Sequence, residues 1–224
     1  MKIKNSFEII LLTILTLPFI YISIIWNLLP EIIPTHFNID GVADDWGSKW
    51  TIFIMPCISF PMYFILRFVP RIDPRFKNYQ LFQRSYNYIR LAVHLLLASI
   101  TVFIVQITLN NSLANMGAKW IFILVLIFFS IMGNFMRTIR SNYFAGIRTP
   151  WTLENETVWR KTHEFSGRLW FYGGLILSLI TLFLNDKWTL IIIFPLLILM
   201  AGIIPITYSY FCYRNLKRQS SIKP

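Results

Sequence analysis

The sequence predicts an all-α, polytopic integral membrane protein: a bundle of six transmembrane helices with both termini cytoplasmic. Three observations carry that expectation. The 224 residues are 56% hydrophobic, 17% aromatic and only 14% charged, a composition outside the range of soluble globular domains. Six long apolar runs recur along the chain. The formal charge is +11, and nearly all the basic residues fall in alternate gaps between those runs.

The runs are Phe7–Leu29, Trp50–Val69, Ile89–Leu109, Trp120–Met136, Leu169–Leu184 and Trp188–Cys212. A helix needs about 20 apolar residues to cross a hydrocarbon core of about 30 Å. Four runs reach that length, and the fourth and fifth borrow their flanking turns. Phe7–Leu29 follows Lys2 and Lys4 as an export signal would. It is too long for a signal core and no small-residue cleavage site follows, so it reads as a retained first span. With the N-terminus inside, the inner segments are Met1–Ser6, Val69–Tyr88, Arg137–Arg168 and Tyr213–Pro224. With Arg67 and Arg90 assigned to their nearer inner ends, these hold every Lys and Arg except Lys49, Lys119 and Lys187. That bias sets the orientation. The basic charge is therefore a topology and lipid-contact signal, and no soluble module is present to bind nucleic acid directly. Cys57 and Cys212 fall within spans near opposite faces, too far apart to pair, and read as small buried apolar residues. With no repeat, low-complexity tract or flexible linker, residues 1–224 form a single membrane domain.

The first outer loop, residues 30–50, contains Pro30, Pro34, Gly41, Gly47 and an Ile39-Asp40-Gly41 turn. These predict a compact, turn-rich lid rather than a helix. Glu31, Asp40, Asp44 and Asp45 outnumber Lys49, beside Phe37, Trp46 and Trp50. Two readings stand: acids tolerated outside with tryptophans as interfacial anchors, or a docking surface for a cationic amphipathic ligand. His36 with Asp40 offers two metal-type ligands, too few for a convincing site. A hydrogen bond from His36 to backbone, organising the loop, is the stronger expectation, and no metal is assigned.

The inner segment 70–88 carries Arg71, Asp73, Arg75, Lys77 and Arg84. The spacing of Tyr79, Leu81, Phe82, Ser85, Tyr86 and Ile89 predicts an amphipathic helix on the membrane surface, leading into the third span. His94 lies one turn inside that span, where a packing role and a functional one are equally open. Gln106 lies near its other end.

The second inner loop, within residues 133–170, is the longest polar stretch, and ordered loops of that length are usually functional. Asn134, Arg137 and Arg140 form a polar stripe at the end of the fourth helix. Arg148-Thr149-Pro150-Trp151 cannot be helical throughout, because a residue before proline is pushed to extended geometry. Thr152 or Asn155 then caps a helix with Glu154 and Glu156 in its first turn. Glu156 and Arg160 have ion-pair spacing and share a face with His163. Gly146 and Gly167 allow tight turns or close helix approach. Arg140, Arg148, Arg160 and Lys161 are expected to converge with Trp151, Trp159 and His163 beneath the bundle. Arg148 should pair with Glu154 or Glu156 or cap a helix end, and Trp151 should pack by Phe144 or Trp159. Lipid contact, a plug sealing the bundle, or a satisfied ion-pair network would explain the same residues.

Catalysis is not expected. His163-Glu164 begins like a zinc-protease motif, but the second His position is Gly167. There is no Gly-x-Ser-x-Gly, no phosphate-binding loop and no carboxylate pair within a span, and no cofactor is implied. Proline-broken spans, with Pro56 and Pro61 in the second and Pro195 and Pro205 in the sixth, leave a small transporter or channel-like protein as the alternative. The lack of mid-span acids and of inverted repeats counts against it.

The run Gly133-Asn134, then Asn142-Tyr143-Phe144-Ala145-Gly146-Ile147-Arg148-Thr149-Pro150-Trp151-Thr152-Leu153, then Trp159, Thr162-His163 and Gly167 resembles the core motif of the SdpI family. These are bacterial membrane proteins named for immunity to a secreted killing peptide. Pro30-x-x-x-Pro34-Thr35-His36-Phe37-Asn38-x-x-Gly41 resembles a domain of unknown function that often precedes that core. Ser141 stands where the family pattern leads one to expect Pro. The resemblance implies a multi-pass protein of the cytoplasmic membrane that protects its host from a secreted, cationic, hydrophobic peptide toxin. In the founding member it also implies signalling, with a small winged-helix autorepressor held at the membrane. The ligand or partner residues it suggests are Asn134, Asn142, Arg148, Trp151, Trp159 and His163, with His36 and Asp40 outside.

Overall fold

The computed structural model describes residues 5–40, 42–110 and 119–222. Lys2 and Lys4, the lid glycine Gly41, and Lys223 lie outside the described residues. Six helical stretches are long and apolar enough to cross a membrane. They run α1 (Asn5–Ile25), α2 (Ile54–Ile72), α4 (Gln83–Leu109), α5 (Lys119–Met136) and α7 (Glu156–Phe183), then a composite last span. That span joins α8 (Asp186–Trp188), α9 (Phe194–Ile198) and α10 (Ile204–Ile222) through π turns at Thr189–Ile193 and Leu199–Ile203. Each π turn ends close before a proline, Pro195 or Pro205, where the missing N–H and the ring displace the regular ladder. Pro56 and Pro61, by contrast, do not break the second span: Pro56 falls in the first turn of α2, and the helix continues through Pro61.

The spans alternate in direction, giving the bundle two unlike ends. One end is a hairpin of β1 (Ile32–Phe37) and β2 (Ala43–Ser48), antiparallel, with Ile33 opposite Gly47 and Pro34 opposite Trp46. The lid is therefore a short sheet rather than turns alone. It seats a single apolar plug, Ile33, among Ile22, Leu29, Ile52 and Val105. Lys49 pairs with Glu31 at 2.8 Å and lies 4.5 Å over the Trp26 ring, tying hairpin to bundle.

At the other, charged end, the segment 70–88 departs from expectation. A short α3 (Asn78–Leu81) breaks at Phe82, where φ is −130°. Tyr79, Phe82, Tyr86 and Ile89 are buried against Met136, Ile139, Ile147 and Trp159, while Leu81 alone of that series is largely exposed. The apolar face is thus spent inside the protein instead of on the membrane surface. α5 and α7 form the most extensive helix pair. They touch backbone to backbone because a Cβ at Gly133 would stand 2.7 Å from the Gly167 carbonyl oxygen.

Candidate functional site

Between α5 and α6 (Pro150–Glu154) the chain has almost no regular structure, yet its centre is buried. Irregular backbone cannot satisfy itself, so each buried N–H and C=O needs a partner. Asn142, fully buried, supplies several. Its Oδ1 accepts the N–H groups of Phe144 at 2.9 Å and Ala145 at 2.6 Å. Its Nδ2 donates to the carbonyls of Arg140 at 2.8 Å and Ala145 at 3.0 Å.

Behind Asn142 stands a buried acid. Asp73 accepts the Tyr79 hydroxyl at 2.9 Å, the Tyr143 N–H at 2.9 Å and the Arg75 N–H at 2.7 Å. The Tyr79 hydroxyl also lies 3.2 Å from Asn142 Oδ1. Burial first, then the hydrogen bond to Asp73, raises the Tyr79 phenol well above the ordinary tyrosine range. Arg75 bonds the Ser141 hydroxyl and the Leu153 carbonyl, the latter at 2.8 Å, and sits 5.1 Å from the Tyr143 ring. Asn78 donates to the Ser141 carbonyl at 2.7 Å. The segment between α2 and α4 therefore clamps the loop between α5 and α6, with Ser141 as one of the clamped residues.

The same loop is pinned from the α7 side. His163, buried, donates from Nδ1 to the Trp159 carbonyl one turn back at 2.8 Å, and its Nε2 accepts the Ile147 N–H at 3.0 Å. Those two bonds fix the neutral Nδ1–H tautomer. The ring stacks on Trp159 at 4.1 Å, and Trp159 Nε1 donates to the Ile139 carbonyl at 2.8 Å. Gly146 has φ +100°, and any Cβ there would collide with His163 Nε2. Glycine is thus required both by conformation and by the approach of the imidazole.

Thr149 caps α6 in a reciprocal box with Thr152, and its hydroxyl lies 3.0 Å from that of Ser209 in the last span. Asn155, as expected, caps α7 through the N–H groups of Thr157 and Val158.

Several expectations are corrected. Arg140, Arg148, Arg160 and Lys161 do not converge beneath the bundle; all four are exposed. Arg148 pairs with neither Glu154 nor Glu156 and donates instead to the Tyr143 carbonyl of its own loop at 2.9 Å. Trp151 packs edge-on to Tyr210 of the last span at 5.1 Å, not beside Phe144 or Trp159. The ion pair at helical spacing on α7 is Glu164 with Arg168, not Glu156 with Arg160. Asn134 is exposed, apart from the Asn142–His163 centre. At the hairpin end His36 bonds the Asp44 carboxylate at 2.6 Å rather than backbone, and Asp40 faces Lys187 at 3.7 Å. His36 and Asp40 therefore do not act together. Among the described residues no cluster of three or more metal-type ligands occurs.

Two buried acids matter more than the sequence pattern alone suggests. Asp73 is one. The other is Glu8, in the first turn of α1, where Arg90 of α4 grips it at 2.8 and 3.1 Å and Arg67 of α2 at 2.6 Å. Tyr63 also donates to Glu8 at 2.6 Å, and deeper along the same helices Ser59 lies 3.0 Å from His94 Nδ1. Each acid is alone among basic residues at one level of the chain, and that solitude was the available signal.

The hairpin end also holds an open apolar cavity of about 730 Å³ between α1, α4 and α5. Gln106, donating to the Tyr21 hydroxyl at 2.7 Å, forms one of its few polar contacts.

Comparison with known proteins gives concordant results. The SdpI/YfhL protein family matches residues 138–209, and a domain of unknown function (DUF1648) matches residues 13–60. The chain is 30% identical over 214 residues to Immunity protein SdpI of Bacillus subtilis (strain 168), covering 95% of this chain and 97% of that protein. No solved structure matches.

Proposed function

The chain belongs to the SdpI family, and on that premise we propose that it is a multi-pass membrane immunity protein protecting its host from a secreted peptide toxin. The observation that carries this reading is similarity to a named immunity protein along nearly the whole chain. The hairpin end faces outward, with Lys49, Lys119 and Lys187 as its few cations, and the charged end faces the cytoplasm. A cationic, hydrophobic peptide meets the acidic hairpin first, then the apolar cavity beside Tyr21 and Gln106. On the inner side, Asn142, Trp159 and His163 shape the loop that senses occupancy. Arg148 and the exposed face of that loop are then available to a small repressor. Such coupling requires two loop arrangements with different affinity for toxin.

The decisive experiment is survival of a toxin-sensitive strain expressing this chain. Protection from at least one secreted peptide of this class is expected. Undiminished killing by all of them, at confirmed membrane levels, would overturn the immunity reading. Repressor capture is separate: a tagged winged-helix repressor should move to the membrane fraction only when toxin and this chain are both present.

The π turns beside Pro195 and Pro205 favour a second reading, a small transporter, because irregular helix in a span often borders a substrate cavity. Concentrative uptake of labelled peptide by reconstituted vesicles would select it over the first.

A further inference from the structure

At the charged end, on the outer face of the α5–α7 pair, lies a cleft of about 190 Å³ lined by Gly133, Asn134, Arg137, Glu164, Gly167 and Arg168. We propose that this cleft seats the phosphate of an anionic phospholipid headgroup. The proposal goes beyond the immunity function and does not depend on it.

The recess exists because two glycines meet. A Cβ on Gly167 would stand 2.9 Å from the Gly133 carbonyl oxygen, so the helix backbones touch and no side chain fills the floor. The walls are charged. Arg137 comes from the end of α5 and Arg168 from α7, with Glu164 paired to Arg168. Among the described residues, no hydrogen bond or ion pair holds Arg137 or Asn134. Two guanidinium groups against one carboxylate leave a single positive charge, matching the single negative charge of a phosphodiester. An arginine also presents its donors as a planar fork suited to phosphate oxygens.

The surroundings distinguish a lipid from a free anion. From the cleft an exposed apolar stripe runs along α7 through Tyr172, Ile176 and Leu179, and another along α5 through Ile131 and Ile127. A phosphate bound between Arg137 and Arg168 would have its acyl chains laid along those stripes, an arrangement of no use to inorganic phosphate. Basic pockets between helices at the cytoplasmic level suit such headgroups.

The test uses the full chain, purified in detergent and exposed to equimolar phosphatidylglycerol and phosphatidylcholine, with bound lipid read by native mass spectrometry. Phosphatidylglycerol should be retained preferentially, and Arg137→Ala should lower that retention by about five-fold. Glu164→Gln should raise it, and Arg140→Ala, outside the cleft, should leave it unchanged. Equal retention of the two lipids, or an equal loss in Arg140→Ala, would overturn the site. Displacement of the lipid by inorganic phosphate at comparable concentration would overturn the choice of a lipid as ligand. If lipid preference is absent but a cytoplasmic protein protects Arg137 from modification, the cleft is a protein-docking surface and the proposal fails.

Discussion

Replacing Asn142 with Ala tests whether the loop between α5 and α6 is held by one side chain. In the intact protein its carboxamide satisfies the N–H groups of Phe144 and Ala145 and the carbonyls of Arg140 and Ala145, and meets the Tyr79 hydroxyl. Alanine removes all of these. A buried donor left without a partner costs about 1–3 kcal/mol. Two backbone donors are stranded, so the closed loop should lose about 2–5 kcal/mol, allowing for partial relaxation. That is a large share of the stability of a typical domain, yet the six spans do not depend on it. The expected result is local. Hydrogen exchange at Phe144 and Ala145, measured in nanodiscs, should accelerate by about 30-fold or more, with α1, α2 and α4 unchanged. Protection against toxin should fall at equal membrane levels. Exchange at those two amides within a factor of about two of the wild type would refute the assignment of Asn142 as the loop's organiser.

Other outcomes follow from the same contacts. Gly146→Ala should cost about 1–3 kcal/mol in backbone strain alone and break the His163–Ile147 bond, seen as fast exchange of the Ile147 amide. A protected amide there would show that the loop can turn without a glycine. Glu8→Gln strands Arg90 in the interior and should lower the thermal midpoint in detergent far more than Glu164→Gln. The first removes a partner from a buried pair, worth about 3–5 kcal/mol. The second opens an exposed pair, worth less than about 1 kcal/mol. Equal midpoints would mean that Arg90 finds another partner. Arg148→Ala removes one exposed bond to the Tyr143 carbonyl and should leave the thermal midpoint as it is in Arg218→Ala. Loss of protection in Arg148→Ala with that midpoint unchanged would instead make Arg148 a contact to a partner.

Much of the architecture was legible because one requirement dominates it. Apolar length fixed the six spans, since a helix crossing lipid must be long and uniformly apolar to satisfy its own backbone. The hairpin was not legible. Its strands, IIPTHF and ADDWGS, carry a proline and two adjacent polar pairs, Thr35-His36 and Asp44-Asp45, and only Ile33 is deeply buried, so no alternation reveals a buried face. The surface helix expected at Tyr79–Ile89 failed for a related reason. Its apolar spacing was read correctly, but spacing cannot say whether the face meets lipid or the loop carrying Ile147 and Trp159.

The site divides more instructively. Arginine was expected to turn inward and organise the loop, yet Arg140, Arg148 and Arg160 face out while Asn142, Thr152 and His163 are buried. The chemistry of an irregular segment explains the inversion. Such a segment presents unpaired N–H and C=O groups in roughly equal number, and a side chain that serves both must donate and accept. Asparagine, threonine and neutral histidine do so without burying a charge; arginine donates only and brings a charge whose burial needs an acid beside it. Arg90 fits the same rule from the other side: it is wholly enclosed, and Glu8 reaches it. Arg75, only half-buried, spends its guanidinium on the Ser141 hydroxyl, the Leu153 carbonyl and the Tyr143 ring. Among the described residues of the charged end, the arginine that is wholly enclosed is thus the one that a buried acid grips, while the exposed Arg168 pairs only with the exposed Glu164.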